Sequence, residues 1–431
     1  EAGYEQISVH IVRFSENSSA DFDENLKKLK LTGISVSEIN EHDEPINEKA
    51  DLIIDAILGS GLNKPLAGFL KTLVQNLNSQ HNKIVSIDVP SGFFAEGEID
   101  PENVCIHADL VITFQRPKLN FFFPESAEAV KRFKVVNIGL DEDYIQSLES
   151  NWRLTDDSDI HQILKKRQNF SHKGTYGHAL IVAGSAETMG AALLCADACL
   201  HTGAGLTTAY IPESGLTALN TYVPEVMAFI RNPAKENFKF EDIKYNAIGI
   251  GPGLGKTIDE INLLIELLNL KGISLVLDAD ALNIISENKA LIFDISDNAV
   301  ITPHMKEFDR LFGESKSWWQ RLEVAREKAA EHHIIIVLKN QYTFVVCPDK
   351  NVFINPTGNP AMAIGGMGDI LTGIITGLLA QNYSPLDAAI AACYIHGLCG
   401  DIAHKKSGMF AIPPRYIISK IPEVLNSLVT K

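Results

Sequence analysis

The chain has 431 residues, of which 45% are hydrophobic and 21% charged, a balance that excludes a mostly disordered protein and predicts two to three folded domains. Its 38 Lys and Arg residues against 54 Asp and Glu residues give a net charge of −16, which disfavours nucleic-acid binding. The longest apolar stretch, Ile370 to Ala380, is far shorter than the roughly 20 residues that span a bilayer, so we expect no membrane segment.

The six cysteines include no Cys-x-x-Cys pair, which argues against a disulfide framework and a zinc ribbon. So few cysteines without a paired pattern are typical of a protein in the reducing cytoplasm. Cys195 and Cys199 would share one helix face, but no matching pair of ligands completes a metal site, so we predict buried thiols.

In the first third of the chain, short apolar runs alternate with amphipathic stretches, which predicts βαβ units around a parallel sheet. The predicted strands are Ile7 to Val12, Leu52 to Leu58, Ile84 to Val89, Leu110 to Phe114 and Lys134 to Ile138. The polar region from Asp141 to Asn169 interrupts this rhythm, and we place a domain boundary near Glu149.

A second series of strands occupies the rest of the chain, with helical stretches between most of its members. The predicted strands are His178 to Val182, Thr207 to Ile211, Ala247 to Ile250, Leu275 to Asp278, Val300 to Thr302 and Ile334 to Leu338. Thr343 to Val346 and Asn351 to Ile354 lie close together and predict a hairpin added to the parallel sheet.

The strongest local motif is Gly365-Gly366-Met367-Gly368-Asp369, immediately before the apolar helical stretch. Its glycines and the start of the helix favour a loop that holds an anion. Asp369 could then accept a proton from a hydroxyl that attacks a phosphoryl group. The alternative is that Asp369 is only a helix cap and the glycines a tight turn.

Three further motifs are weaker when taken alone. The glycine-rich segment 249–257 lacks the spacing of a phosphate-binding P-loop or of a dinucleotide fingerprint, and we predict a flexible turn. His304 follows a strand, where parallel sheets place ligand contacts, although it could equally cap a turn. The segment 339–343 could contact the phosphates or ribose of a nucleotide, or it could be a polar hairpin edge.

In the first domain, Asp55 and Asp88 end two predicted strands, and we expect both carboxylates at one edge of the sheet. Such a pair could bind a cation or divide acid and base roles. The alternative for each is a cap or an Asx-turn.

Taken together, these motifs resemble the family of bifunctional NAD(P)H-hydrate repair enzymes, and the resemblance covers nearly the whole chain. In the first domain it lies in DAILGSGLNKPLAG from Asp55, SIDVPSG from Ser86 and ADLVITFQRPK ending at Lys118. In the second it lies in KGTYGHALIVAGS from Lys173, MGAALLCADACLHTGAGL from Met189, GIGPGLG from Gly249, LDADALN from Leu277, ITPHMKEF from Ile301 and NPAMAIGGMGDILTG from Asn359.

The resemblance implies an α/β protein of two three-layer α/β/α domains. Residues 1–149 would form a Rossmann-like NAD(P)H-hydrate epimerase domain, which interconverts the R and S hydrates. Residues 150–431 would form a ribokinase-like, ADP-dependent NAD(P)H-hydrate dehydratase domain. The implied ligands are hydrated NADH or NADPH, ADP with ATP as the alternative, Mg²⁺ for the dehydratase and K⁺ for the epimerase. The implied protein is a cytoplasmic homo-oligomer that binds neither nucleic acid nor membrane.

The same resemblance implies roles for individual residues. Asp369 would be the catalytic base and, with Ala191, Gly253 and His304, would contact the hydrated dinucleotide. The residues implied at the adenine nucleotide are Lys339, Asn340, Gln341, Tyr342, Thr343 and Gly368. In the first domain the implied K⁺ ligands are Asp55 and Ser91, and the implied substrate contacts are Gly59, Ser60, Gly61, Leu62, Asn63, Lys64, Pro65 and Asp88.

The family's epimerase domain begins with a helical segment and an Asn-Asn-Gly-Gly-Asp loop, which these 431 residues do not contain. The first residues resemble the family's segment on the carboxyl side of that loop, so we expect a front segment to be missing. Two rival functions remain: a small-molecule kinase of the same fold, such as a vitamin-precursor kinase, and a non-catalytic dinucleotide sensor.

Overall fold

A computed structural model describes residues 6–15, 18–43, 50–231, 240 and 244–430. The chain divides into two compact units. The first comprises Glu1–Leu148 with Ser317–Trp319, and the second comprises Glu149–Lys316 with Gln320–Lys431. Both units are built on parallel β-sheet.

The first unit contains a two-stranded and a four-stranded parallel sheet. Its elements are β1 (Ser8–Val12), α1 (Ala20–Lys30), β2 (Ser35–Ile39), β3 (Leu52–Asp55), α2 (Gly68–Ser79), β4 (Lys83–Ile87), β5 (Leu110–Phe114), β6 (Phe133–Val136) and α3 (Glu142–Ser147). β1 pairs with β2, and the larger sheet has the order β3-β4-β5-β6. Apolar side chains of α2, such as Leu73 and Val74, pack with Val111 of β5 in the core.

The second unit contains one ten-stranded sheet. Its strands are β7 (Trp152–Leu154), β8 (His178–Val182), β9 (Leu206–Pro212), β10 (Met227–Arg231), β11 (Ala247–Ile250), β12 (Ser274–Leu277), β13 (Val300–Ile301), β14 (Ile335–Leu338), β15 (Thr343–Val346) and β16 (Val352–Asn355). Their order is β10-β9-β8-β11-β12-β13-β14-β15-β16-β7. Only β15 runs antiparallel to its neighbours among these strands, so the carboxyl ends of β8 and β11–β14 meet at one edge.

Helices cover this sheet and complete its core. They are α4 (Asp157–Ile163), α5 (Met189–Thr202), α6 (Leu216–Tyr222), α7 (Ile258–Leu268), α8 (Ala279–Glu287), α9 (Met305–Phe312), α10 (Trp318–Glu331), α11 (Met367–Ala380), α12 (Pro385–Ser407) and α13 (Pro414–Thr430). Residues of α5, α11, α12 and α13 pack with the strands in one continuous hydrophobic cluster. The apolar, nearly fully buried α11 is its central helix.

Every predicted strand is present, and the segments 178–182 and 247–250 agree to the residue. The predictions for 52–58 and 84–89 extend too far, since these strands end at Asp55 and Ile87. The predicted hairpin is also confirmed, since β15 and β16 pair antiparallel. Cys195 and Cys199 are buried free thiols, as expected. The strands β2, β7 and β10 were not predicted. β2 is short and consists mostly of exposed polar residues, and β7 has only three residues at the sheet edge.

Helix α12 is a longer apolar segment than the one considered from the sequence. By length and composition it could cross a membrane, but 67% of its most apolar window is buried inside the protein. A soluble protein's core helix has the same properties, so this helix is weak evidence for a membrane span.

Two glycines allow α11 to lie very close to α5. A Cβ atom at Gly373 would lie 2.2 Å from the carbonyl oxygen of Cys195, and one at Gly377 would lie 2.9 Å from that of Cys199. No side chain fits these positions, so the two helix backbones are in direct contact.

We therefore expect Gly373→Ala to destabilise the protein by about 1–3 kcal/mol, because overpacking outweighs the roughly 1 kcal/mol gain in helix propensity. The measurement is chemical denaturation followed by circular dichroism. Gly190→Ala on α5 is the matched control, since a Cβ there meets no atom within 4 Å. Equal stability of the two variants would contradict the role of the close helix contact.

Candidate functional site

The glycine loop before α11 forms the first part of the candidate site. Gly366 is the N-cap of α11 and has a left-handed φ of 96°. Its missing Cβ also avoids a contact of 2.7 Å with Leu194. Asp369 is the third residue of the helix and does not cap it, so the interpretation of Asp369 as an N-cap is wrong. The N-terminal N–H groups of α11 thus remain available to an anion.

A buried ion pair lies beside this loop. Lys339, directly after β14, places its Nζ 2.8 Å from Oδ1 of Asp278, which directly follows β12. The other oxygen of Asp278 accepts a hydrogen bond of 2.8 Å from the hydroxyl of Thr372 in α11. A Cβ at Gly368 would lie 3.4 Å from Lys339 Nζ, so the ammonium group lies directly against the loop.

This environment makes Asp369 an unusual carboxyl group. Burial, together with the nearby charge of Asp278, raises the pKa of Asp369 to about 6, although Lys339 acts in the opposite direction. Burial would lower the pKa of Lys339, but Asp278 and Glu307 outweigh it and raise that pKa. At neutral pH the site therefore holds a fixed cation next to a carboxylate that is basic enough to take a proton.

The glycine turn after β11 brings two predicted substrate contacts together. Gly253 has φ +56°, and a Cβ on it would lie 2.9 Å from Thr188. The hydroxyl of Thr188 donates a 2.6 Å hydrogen bond to the carbonyl of Gly253. The carbonyl of Thr188 accepts a hydrogen bond from the N–H of Ala191 in the first turn of α5. Ala191 and Gly253 therefore border the same corner of the sheet edge.

His304 is a helix cap, in agreement with the structural alternative for this residue. Its Nδ1 accepts a hydrogen bond of 3.2 Å from the N–H of Glu307, and the Glu307 carboxylate accepts one of 2.9 Å from the N–H of His304. The His304 side chain remains about half exposed. A parallel β-bridge to Lys339 places it beside the ion pair, so capping does not remove it from the site.

The predicted nucleotide segment forms the tight connection between β14 and β15. Asn340, Gln341 and Tyr342 lie between the two strands, and Thr343 begins β15. The Thr343 hydroxyl donates to the carbonyl of Asn340. The segment is thus a polar hairpin edge, as one alternative held, and it continues from the partly buried Lys339.

In the first unit, Asp55 is almost fully buried at the end of β3. It accepts hydrogen bonds from the hydroxyl of Ser86 at 2.7 Å, from the N–H of Ser91 at 2.8 Å and from the hydroxyl of Ser91 at 2.5 Å. A weaker contact of 3.4 Å comes from the N–H of Ile57. Asp55 and Ser91 are thus neighbours, but their oxygens are already occupied by protein donors.

Asp88 lies at the end of the adjacent strand β4, as predicted, and has a strained backbone. Its φ is 66°, and a hydrogen bond of 2.9 Å joins Val89 N–H to Ile87 C=O in a γ-turn. The carboxylate is 2.8 Å from Lys118 Nζ. Partial burial would raise the pKa of Asp88, but hydrogen bonds from Lys118, the N–H of Phe114 and Ser60 lower it.

The predicted substrate loop of the first unit connects β3 to α2. Through Ser60 it contacts Asp88. The remaining predicted members, Gly59, Gly61, Leu62, Asn63, Lys64 and Pro65, lie in the same connection. Within the described part of the chain, no group of three or more His, Cys, Asp or Glu side chains could hold a metal ion.

Sequence analysis did not single out three residues that the structure places in these sites. Asp278 and Thr372 form the polar network beside Asp369, and Lys118 pairs with Asp88. The available signal for Asp278 was its position directly after the buried strand β12, comparable to the position of Asp55 at the end of β3. A threonine inside an apolar helix gave no comparable signal.

The second unit is a ribokinase-like α/β protein. It resembles a ribokinase-like superfamily protein of Enterococcus faecalis, with a TM-score of 0.58 and 28% identity over 66% of this chain and 99% of that one. It is also similar to the ADP/ATP-dependent NAD(P)H-hydrate dehydratase of Bacillus subtilis, co-crystallised with ATP and Mg²⁺, with a TM-score of 0.58 and 30% identity over 64% of this chain and 98% of that one.

Sequence comparison is more specific. Residues 179–423 match the NAD(P)H-hydrate dehydratase family, and residues 1–120 match the YjeF-related protein N-terminus. The bifunctional NAD(P)H-hydrate repair enzyme of Moorella thermoacetica is 35% identical over 392 residues, which are 88% of this chain and 73% of that protein. The enzyme of the same description from Escherichia coli is 33% identical over 387 residues, 89% of this chain and 73% of the relative.

The chain therefore belongs to the family of bifunctional NAD(P)H-hydrate repair enzymes. The expected α/β fold and repair function are confirmed, and the comparisons do not support a generic kinase.

For the first unit we expect Asp55→Asn to lower the free energy of unfolding by about 1–3 kcal/mol, because the amide group cannot accept all the buried donors that the carboxylate satisfies. Chemical denaturation measures this loss. Asp100→Asn is the control, since Asp100 is exposed and, among the described residues, its carboxylate accepts one hydrogen bond, from Glu102 N–H. An unchanged midpoint for Asp55→Asn would refute a structural role for its carboxylate.

Proposed function

We propose that the second unit dehydrates the S form of NAD(P)H hydrate with Asp369 as the catalytic base. The observation that carries this proposal is the placement of a carboxyl group with a pKa of about 6 next to a glycine loop, a helix N-terminus and the Lys339 ammonium group. Such an arrangement suits the activation of a hydroxyl beside a phosphoryl group.

In this mechanism Asp369 removes the proton from the ring hydroxyl, and the oxygen attacks the terminal phosphorus of the adenine nucleotide. With ADP, the P–O bond to AMP breaks and AMP leaves. The ring nitrogen's electron pair then expels the phosphorylated oxygen as phosphate and leaves an iminium ion. Loss of a proton from the adjacent ring carbon to water restores the ring double bond of the reduced nicotinamide. The loop N–H groups and Lys339 would stabilise the charge on the transferring phosphoryl group.

We assign Ala191, Gly253 and His304 to the hydrated dinucleotide, because they border the same sheet edge as Asp369. We assign the segment 339–343 and Gly368 to the adenine nucleotide, since Lys339 and Gly368 adjoin each other. Mg²⁺ would neutralise phosphate charge. Because the described residues present no acidic cluster for it, the nucleotide phosphates and water would supply most of its ligands.

For the first unit we propose epimerisation of the R and S hydrates at the sheet edge that carries Asp88 and the loop 59–65. A K⁺ ion at Asp55 and Ser91 does not fit their present arrangement, because their oxygens already engage each other and neighbouring N–H groups. Binding of the ion would require at least one of these hydrogen bonds to open, and we derive no step from it.

We further propose ADP as the preferred phosphoryl donor, with ATP as the alternative, in a cytoplasmic homo-oligomer. The test is to add hydrated NADH with Mg²⁺ and ADP, ATP or no nucleotide, and to follow the recovery of the absorbance of reduced nicotinamide. We expect recovery only with nucleotide and faster recovery with ADP. Recovery of the S form alone would show that the epimerase is inactive, and no recovery would contradict the proposed dehydratase.

We expect Asp369→Asn to abolish turnover while nucleotide binding persists, because the shape is kept and the proton acceptor is lost. In the parent protein kcat/KM should fall as the pH is lowered through about 6, where Asp369 becomes protonated. Steady-state kinetics and calorimetric nucleotide titration measure both effects. Turnover of the variant near the parent rate would eliminate Asp369 as the base.

We expect His304→Ala mainly to raise KM for the hydrate, with a smaller effect on kcat, because His304 borders the site without touching Asp369. Loss of its helix cap should also lower stability by about 1 kcal/mol. Kinetics at a temperature well below unfolding separate the two effects. A large fall in kcat at unchanged KM would instead place His304 in the chemical step.

A further inference from the structure

Asp278 occupies a position where an aspartate ordinarily caps a helix, yet its side chain does not do so. It is the N-cap residue of α8 and makes no side-chain hydrogen bond to that helix. Its carboxylate instead accepts from Lys339 and Thr372, both at 2.8 Å. The side chain is therefore directed to the site beside Asp369, and a capping interaction of roughly 1 kcal/mol is not made.

The backbone around Asp278 is specialised for this orientation. The next residue, Ala279, has a left-handed φ of 46°, a conformation unfavourable for a residue with a Cβ. The carbonyl of Asp278 packs against Gly251, where a Cβ would lie only 1.9 Å from the oxygen. Asp278 itself is 1% exposed. Local strain and a close backbone contact thus hold the carboxylate in place.

Lys339 lies within electrostatic range of two carboxylates but pairs with only one of them. Asp369 raises the pKa of Lys339 as Asp278 does, so both acidic groups act on the same ammonium ion. In the described part of the chain the ion pair forms with Asp278, and no cation forms an ion pair with Asp369. Another titratable group that interacts with Asp369 is the buried thiol of Cys195 on α5. Glu307, His396 and the buried thiol of Cys393 interact with Lys339.

We propose that Asp278 is a positioning residue that holds the Lys339 ammonium group away from Asp369 and so keeps Asp369 free to abstract a proton. This inference rests on the proposed function of Asp369 as the base. If Asp278 lost its charge, Asp369 would become the competing partner for Lys339. A carboxylate paired with a lysine is a weaker base, because the cation favours its ionised form.

The test compares the pH dependence of kcat in the parent protein and in Asp278→Asn, which keeps the shape and removes the charge. We expect the acidic limb to move to lower pH by about 0.5–1 unit, and kcat at neutral pH to fall about tenfold. Calorimetric titration with ADP should show binding within a few fold of the parent. An unshifted acidic limb with parent-like kcat would overturn the proposal.

Lys339→Met is a second variant that keeps the proposal testable if Asp278→Asn fails to fold. Removal of the cation should shift the acidic limb to higher pH, because Lys339 lowers the pKa of Asp369. The double variant should lie between the two single variants. A limb that moves in neither single variant would also overturn the proposal.

Asp309→Asn is the matched control for the loss of a buried ion pair. Asp309 accepts two hydrogen bonds of 3.0 Å from the buried Arg321, and neither residue belongs to the proposed catalytic site. We expect lower thermal stability and an unchanged pH profile. A similar limb shift here would make the shift a general effect of destabilisation and contradict the specific role of Asp278. An active Asp369→Asn variant would refute Asp369 as the base. That result is separate from the Asp278 variants, so a failure of the proposed function can be distinguished from a failure of the role of Asp278.

Discussion

The close approach of α11 to α5 and to the sheet determines where the chemistry of the second unit can occur. Gly373 and Gly377 allow two helix backbones to touch, and Gly366 begins α11 in a conformation that a side chain would hinder. The N-terminus of a buried helix is thereby fixed at the carboxyl ends of the central strands. Ligands of open α/β sheets bind at this edge, because strand ends and helix N-termini converge there.

The sequence was sufficient to predict most of the central strands, because buried parallel strands appear as short apolar runs between turns. It was also sufficient for the glycine loop before α11, where Gly366 has the left-handed conformation that favours glycine. It was not sufficient for β7, whose partner strand β16 is distant in the sequence. Asp278 and Thr372 are 94 residues apart, and only the folded chain shows that they bond to each other.

Backbone strain marks the sheet edge of the first unit in a related way. Asp88 and Gln115 directly follow β4 and β5, and each is the centre of a γ-turn with positive φ. Conformations of this kind cost of order 1–3 kcal/mol each and persist where the surrounding structure enforces them. The two strands are neighbours, so the strained residues lie at adjacent strand ends, where Lys118 pairs with Asp88. Strain concentrated beside a charged pair is more consistent with a binding site than with a structural turn.

A chain with a net charge of −16 can bind an anion only where its structure provides a local attraction. In the second unit the attraction comes from N–H groups at the start of α11 and from one lysine, and none of these requires a basic surface. If Lys339 paired with Asp369, it would make Asp369 a weaker base, and Asp369 is within the electrostatic range of this lysine. A second buried carboxylate resolves this conflict: Asp278 holds the lysine in place, and its own charge helps to raise the pKa of Asp369. Asp278 can therefore act both on Lys339, the group proposed to face the phosphate, and on Asp369, the group proposed to take the proton.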